Sequence, residues 1–425
     1  MQLVILAGGK GTRLGVSNVP KPMIRIAGKP ILQYQIELAK KYGIEEVFIL
    51  SGYLADIIVD YFGDGSAWDI KIKHVIEPEP LGTAGALKLL EGKLKDRFLV
   101  FYGDTVMDFD FFSFIKFDKN NPGTVGSIIV HPNDHPYDSD LVEIDADKYV
   151  KYFLPKPHSE NEVYHNLVSA AVYILSPEIM KYIKYGNFAD FGKDIFPMLL
   201  RDGKKLKAYE SAEYIKDMGT KDRLEEVTRD IEIGKVQRNN RANKRSVVFL
   251  DRDGVINRNM DKDISFNNFE LLPGVTQAIK KINESDYLCI VVTNQPIIAK
   301  GFITLGDMEM INKKMETLLG KEGAYLDGIY FCPHHPEKGF LGEVPELKID
   351  CSCRKPKPGM ILKAREEFNI DLSLSWMIGD SIADMSAGKS AGCKTIMVRE
   401  KSCPTADYQK ANLTEAVQFI MEVGR

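Results

Sequence analysis

The chain has 425 residues, too many for one ordinary domain when a domain holds about 100–200. With 44% hydrophobic and 27% charged residues and a net charge of −4, it has the balance of a globular protein. Its charge gives no electrostatic reason to expect nucleic acid or a membrane surface as partner. No run of about 18 apolar residues occurs, so no spanning helix is expected. The N-terminus lacks the basic-then-apolar build of a signal peptide, and a cytoplasmic location is expected.

Short apolar runs alternate with helical patterns, which predicts parallel sheets with crossover helices. In chain order the first half reads as strands at Leu3–Ala7, Glu46–Ser51, Lys71–Ile76, Phe98–Tyr102, Val125–Val130 and Val168–Leu175, with helices at Ile31–Tyr42 and Thr83–Leu90. The stretch from Arg229 to Arg245 is polar and strongly basic and reads as a linker. Alternation resumes at Ser246 and continues through Cys289–Thr293, Gly328–Cys332, Trp376–Gly379 and Thr395–Val398. The expected fold is α/β, with two Rossmann-like domains in tandem: residues 1–228, a linker at 229–245, and residues 246–425.

The first strand runs into Gly8-Gly9-Lys10-Gly11-Thr12-Arg13-Leu14. Glycines let backbone N–H groups approach a phosphate chain, and Lys10 and Arg13 add positive charge. The loop is neither a Walker loop nor a dinucleotide fingerprint. It is followed by "PKPM" with Lys21, "EPLGTAGAL" from position 79, "YGD" with Asp104 and "KDMGT" with Asp217. In order and spacing these five motifs resemble the sugar-phosphate nucleotidylyltransferases over residues 1 to 228. The resemblance assigns Leu6, Ala7, Gly8, Gly9, Gly11, Thr12, Arg13, Glu77, Gly82, Thr83 and Asp104 to nucleotide binding. Arg13 and Lys21 would act at the reacting phosphate, Asp104 and Asp217 would hold Mg²⁺, and Lys156 would meet the sugar phosphate. "LGTAGAL" is similar to the guanylyltransferase branch, which makes GTP the expected donor. Many relatives carry Asn-Ala-Gly where this chain has Ser169-Ala170-Ala171.

In the second half, "DRDGVIN" supplies Asp251 and Asp253, "VVTNQ" Thr293 and Asn294, "CRKPKPGM" Arg354 and Lys355, and "IGDSIADM" Asp380 and Asp384. Each acid or hydroxyl follows an apolar run, where open parallel sheets gather their ligands. Residues 246 to 425 resemble the haloacid-dehalogenase phosphatase superfamily. That resemblance makes Asp251 the nucleophile and Asp253, two residues on and on the same side of an extended chain, the general acid and base. Mg²⁺ would bind Asp251, the carbonyl of Asp253 and Asp380. Thr293 and Lys355 would hold phosphoryl oxygens, and Asn257, Asn294 and Arg354 would contact substrate. "CPHHP" and "CSC" add Cys332, His334, Cys351 and Cys353, three thiols and an imidazole suited to structural zinc, with His335 as the alternative imidazole.

This zinc loop marks the histidinol-phosphate and heptose-bisphosphate branch of the superfamily. A sugar-nucleotide transferase beside such a phosphatase implies a GDP-heptose enzyme. It would remove the 7-phosphate of a heptose 1,7-bisphosphate and join GMP to the α-linked 1-phosphate. A mannose 1-phosphate guanylyltransferase fused to a histidinol-phosphatase-like enzyme is the alternative, as is a half that serves only as a sugar-nucleotide sensor. Small molecules are the expected partners, in a monomer or homo-oligomer.

Overall fold

The structure, a computed structural model, describes residues 1–9, 18–259, 265–399 and 404–423. The chain divides into two compact units: Met1–His131, Asp140–Pro155 and Val168–Asn240 form the first, and Pro132–Ser139, Lys156–Leu167 and Arg241–Arg425 the second. No helix among the described residues is long and apolar enough to cross a membrane.

In the first unit the strand Gln2–Leu6 lies between Glu46–Ser51 and Phe98–Tyr102, parallel to both. Leu3, Val4 and Ile5 are fully buried, because a central parallel strand is covered on both faces and has no polar side to offer. Helix Ile31–Lys41 buries Ile31, Leu32, Gln35, Ile36 and Ala39, the stripe its periodicity predicts, and ends on Lys40 and Lys41, cations that suit the negative pole of the helix. Neighbouring strands leave Gln2–Leu6 in opposite directions, and a crevice therefore opens at its carboxyl end. Strand Val168–Leu175 pairs antiparallel with Phe98–Tyr102 and with Gly126–His131, and its register against the latter shifts between Ser169 and Tyr173. Ala171, inside that shift, has a φ of 58°. The backbone keeps the left-handed turn that glycine allows, although the residue is alanine.

The second unit carries a parallel sheet in the order Gly328–Cys332, Tyr287–Asn294, Ser246–Leu250, Trp376–Gly379, Lys394–Val398, Tyr408–Lys410. Again the first strand in sequence is central, and its end is a switch point. Trp376 is buried in this core against Tyr408 and Phe419. The stretch 229–245 contains the end of helix Lys221–Glu232 and a one-turn helix, Lys235–Arg238. Two segments of the first 228 residues pack in this unit, onto helix Leu305–Gly320. Tyr164 N donates to Thr317 Oγ1 at 3.0 Å, and His165 Nδ1 lies 2.6 Å from Glu316 Oε2. These partners match buried polar groups that a helix facing only apolar neighbours would leave unsatisfied.

Candidate active sites

Strand Ser246–Leu250 delivers Asp251 to the switch point, where its N–H donates to Ile378 O at 2.9 Å. Lys355 Nζ lies 2.8 Å from Asp251 Oδ1 and 2.5 Å from Asp384 Oδ1, and donates to Val292 O at 2.8 Å. The ammonium is almost fully buried. Burial raises the Asp251 carboxyl above its usual range, and the attraction of Lys355 only partly offsets this. Carboxylate oxygens of Asp251, Asp380 and Asp384 lie within 4.8 Å of one another. Hard oxygen donors gathered so closely fit a divalent cation such as Mg²⁺, which would relieve their mutual repulsion. Gly254, at a φ of 81°, brings backbone against Asp380, and a Cβ there would meet Asp380 Oδ2 at 2.2 Å.

Asp253 is held from three sides, by Arg252, Asn257 and Gln295. Burial pushes its pKa up, but these three donors outweigh that effect and the carboxyl sits below its usual range. Asn257 is fully buried and gives its amide hydrogens to Asp253 and to Arg258 O, so it props the site from beneath instead of facing substrate as expected. Asn294 donates to Lys355 O and accepts from Lys355 N, both at 3.0 Å, which fixes the backbone that carries the lysine. Thr293 Oγ1 accepts from Gln295 Nε2 at 2.9 Å.

The soft donors form a second cluster. Cys353 Sγ lies 3.2 Å from Cys351 Sγ, 3.3 Å from Cys332 Sγ and 3.3 Å from His334 Nδ1, and the sulfurs of Cys332 and Cys351 are 3.5 Å apart. These are close to the edges of a tetrahedron built on bonds of about 2.0–2.3 Å, and the set could hold zinc with no position left for water. His335 is turned away, edge-on to Phe340. Arg354 Nη1 reaches His334 O at 3.4 Å, next to this loop.

In the first unit Asp104 follows strand Phe98–Tyr102 and forms an ion pair with Lys21. The short strand Tyr214–Asp217 pairs with Thr105–Asp108, placing Asp217 opposite Thr105, and Met218 N donates to Asp104 O at 2.9 Å. The backbone pairing thus brings Asp104 and Asp217 to one sheet edge, where Asp217 pairs with Arg223 at 2.5 Å. They suit a divalent cation by the same donor chemistry. Gly8 lies against Glu77, since a Cβ there would come within 2.3 Å of Glu77 Oε1. Burial raises the Glu77 carboxyl, and its Oε2 accepts from Leu81 N at 3.2 Å. Gly82, at a φ of 75°, packs on Ala189 O, and Thr83 Oγ1 donates to Asp190 Oδ2 at 2.8 Å. In "LGTAGAL" these two residues therefore seat the loop. Gly11, Thr12 and Arg13 lie outside the described residues. Lys156 belongs to the second unit, where Nζ donates to Asp138 O at 2.8 Å.

A family model described as nucleotidyl transferase matches residues 2–233, and one described as HAD-hydrolase-like matches residues 352–421. The chain belongs to the nucleotidyl transferase family and to that of the HAD-like phosphatases. Over 165 residues it is 41% identical to the D-glycero-beta-D-manno-heptose-1,7-bisphosphate 7-phosphatase of Yersinia pestis, covering 39% of this chain and 86% of that protein. The phosphatase of the same name from Pasteurella multocida is 40% identical over 168 residues, 39% of this chain and 88% of its own. Among solved structures, HddC from Yersinia pseudotuberculosis complexed with GMP-PN is similar at 29% identity and a TM-score of 0.47, covering 54% of this chain and 99% of that one.

This nucleotidyl transferase and phosphatase is a bifunctional enzyme, and its phosphatase site contains residues that the motifs alone did not single out. Arg252 and Gln295 are two: each sits next to a named motif residue, but nothing in one-dimensional spacing shows that their side chains turn onto Asp253. Asp384 is the third. It is N3 of helix Ile382–Ala391 and closes a capping box with Ser381, which is a sufficient structural reason for an acid there. Only the fold shows that its second oxygen meets Lys355.

Proposed function

We propose that the enzyme makes a GDP-heptose in two steps. Its phosphatase half removes the 7-phosphate of D-glycero-D-manno-heptose 1,7-bisphosphate, and its transferase half couples the heptose 1-phosphate to GMP from GTP. The carrying observation is the cluster Asp251–Lys355–Asp384–Asp380 in a chain that shares 41% identity with 86% of a protein named for that phosphatase reaction.

Asp251 attacks phosphorus and forms an aspartyl phosphate as the sugar oxygen leaves. Lys355, held by Asn294, neutralises charge on the phosphoryl oxygens. The proton for the leaving oxygen enters with a monoanionic phosphate and passes through Asp253. It then accepts a proton from the water that hydrolyses the acyl phosphate. Asp251, Asp380 and the carbonyl of Asp253 would hold Mg²⁺, which supplies charge neutralisation between carboxylate and phosphate. In the transferase half Lys21 neutralises the reacting phosphate, Asp104 and Asp217 would hold Mg²⁺, and the sugar phosphate oxygen displaces pyrophosphate from the α-phosphorus. A cytoplasmic location fits the use of GTP as donor. We assign residues 1–228 to transfer and 246–425 to phosphate removal.

Zinc at Cys332, His334, Cys351 and Cys353 would hold the loop that carries Arg354 and Lys355. Elemental analysis should find one zinc per chain, and Cys351→Ser should lose it together with phosphatase stability. Zinc-free protein purified without chelator would remove this assignment.

Neither step touches the bond between the anomeric carbon and its oxygen, so one configuration runs through the whole sequence. The guanylyl-like "LGTAGAL" supports α; the name of the Yersinia pestis relative, which specifies beta, favours β. Incubation with each anomer of the bisphosphate, Mg²⁺ and each nucleoside triphosphate, with products identified by mass, decides both points. The expected product is GDP-α-heptose. An ADP-sugar would overturn the base assignment, and selective use of the β bisphosphate would overturn the anomer.

A further inference from the structure

Both oxygens of Asp253 are held. Oδ1 accepts from Asn257 Nδ2 at 2.9 Å and Oδ2 from Gln295 Nε2 at 2.7 Å, while Arg252 Nη2 reaches them at 3.2 and 3.0 Å. Arg252 itself is 1% exposed, with Nη1 3.0 Å from Met308 Sδ and 3.5 Å from Asn312 Oδ1 on helix Leu305–Gly320. A full positive charge therefore lies buried behind the site with Asp253 as its ion-pair partner. Desolvating a cation in this way is a poor means of stabilising a fold, and apolar replacements of buried ion pairs are often neutral. The arrangement makes better sense as geometry. Along an extended chain Arg252 would point away from Asp253, yet its side chain returns to grip the carboxylate and anchors it to a helix.

We propose that Arg252 is a positioning residue for ester cleavage, fixing Asp253 so that its open face meets the leaving oxygen. This rests on the reading of Asp253 as proton donor and acceptor. In the first step an Asp251 oxygen bonds phosphorus, the ester P–O bond breaks with its electrons on the sugar oxygen, and the Asp253 proton moves to that oxygen. In the second, water bonds phosphorus, gives a proton to Asp253, and the Asp251 carboxylate departs. A 4-nitrophenolate leaving group is stable without a proton, so its departure is insensitive to where Asp253 points.

The test uses the full chain with Mg²⁺, comparing heptose 1,7-bisphosphate with 4-nitrophenyl phosphate, whose nitrophenol burst reports the first step alone. Arg252→Met should lower kcat for the bisphosphate about 100-fold with KM within about threefold, while the burst rate falls less than about fivefold. Its thermal midpoint should fall, since Asp253 loses its buried cation, but a loss of stability alone would lower both substrates alike and leave their ratio unchanged. Arg252→Lys, which keeps the charge but loses the two-point grip, should retain about a tenth of the bisphosphate rate. It carries the same comparison if Arg252→Met does not fold. Equal losses on both substrates, or none on either, would overturn the proposal. Asp253→Asn separates the two levels. If it hydrolyses the bisphosphate normally, the role of Asp253 fails and this inference with it. If it is inactive while both Arg252 variants match the wild type, the inference alone fails.

Discussion

The two strand-end sites handle charge differently. At the end of Ser246–Leu250, Lys355 and Asp384 have side chains only 3% and 0% exposed, and Asp253 is clamped by three donors. At the end of Phe98–Tyr102, Lys21 and Asp104 pair with 12% and 30% of their side chains exposed, and Asp217, 51% exposed, leans on Arg223. The chemistry accounts for the contrast. On the proposed covalent route the nucleophile and proton carrier have to be aimed before substrate arrives, which fits a phosphatase side whose charges are buried and already paired. Nucleotidyl transfer involves no enzyme nucleophile and depends on placing and neutralising phosphates, which bring much of the local charge with them.

The hardest test of this contrast is Asp251→Asn. Phosphate release should fall on the order of 10⁴-fold or more, as expected for a lost nucleophile, while pyrophosphate release from GTP and supplied heptose 1-phosphate stays near wild type. Loss of both activities in a folded variant would break the separation of the sites.

The lysines come next. Lys355→Met strips the partner from two buried carboxylates and should destabilise by about 3–5 kcal/mol, read as a lowered unfolding midpoint. Lys21→Met should slow nucleotidyl transfer by about 100-fold yet change stability by less than about 1 kcal/mol, because a partly exposed pair contributes little. Comparable stability losses in the two variants would show that the transferase edge is as preorganised as the phosphatase edge.

Glycines sharpen the comparison further. Gly254→Ala must accept a φ of 81° and displace Asp380, whereas Gly8→Ala only pushes the flexible end of Glu77. The first should cost about 1–2 kcal/mol from backbone strain alone and abolish most phosphatase activity; the second should mainly weaken nucleotide binding. Titration of GTP affinity alongside thermal unfolding separates them. The smallest effect is expected at Ala171, whose φ of 58° persists without a glycine. Ala171→Gly should stabilise the transferase unit by about 0.5 kcal/mol, the relief of strain less the added entropy of the unfolded chain. A lower unfolding midpoint would mean that the methyl group packs usefully.

Much of this was legible in one dimension. Buried parallel strands announce themselves as continuous apolar runs, and a polar residue just past such a run is already at the sheet edge where ligands collect. Asp104, Asp251, Thr293 and Asp380 could be placed on that basis, as could the C-x-H and C-x-C pairs of the thiol cluster. Strand Tyr214–Asp217 is not legible in this way: it is four residues long and finds its partner more than a hundred positions earlier. Asp217 could be named only from its motif, without the ribbon that sets it beside Asp104.

What tertiary structure alone decided is which side chains turn toward one another. Arg252, Asn257 and Gln295 converge on Asp253 from the turn after one strand and the end of another, and Asp384 reaches Lys355 while also capping a helix. Segment 156–167 lies in the second unit, where Tyr164, His165 and Asn166 supply polar partners to the buried Glu316 and Thr317 of helix Leu305–Gly320, and segment 132–139 is tied to it through Asn133 and Asn166. Sequence spacing encodes the period of a strand or helix and the residues at its ends. The pairing of buried polar groups depends on neighbours tens to hundreds of residues away, and there the cost of an unmatched hydrogen bond or charge selects the arrangement.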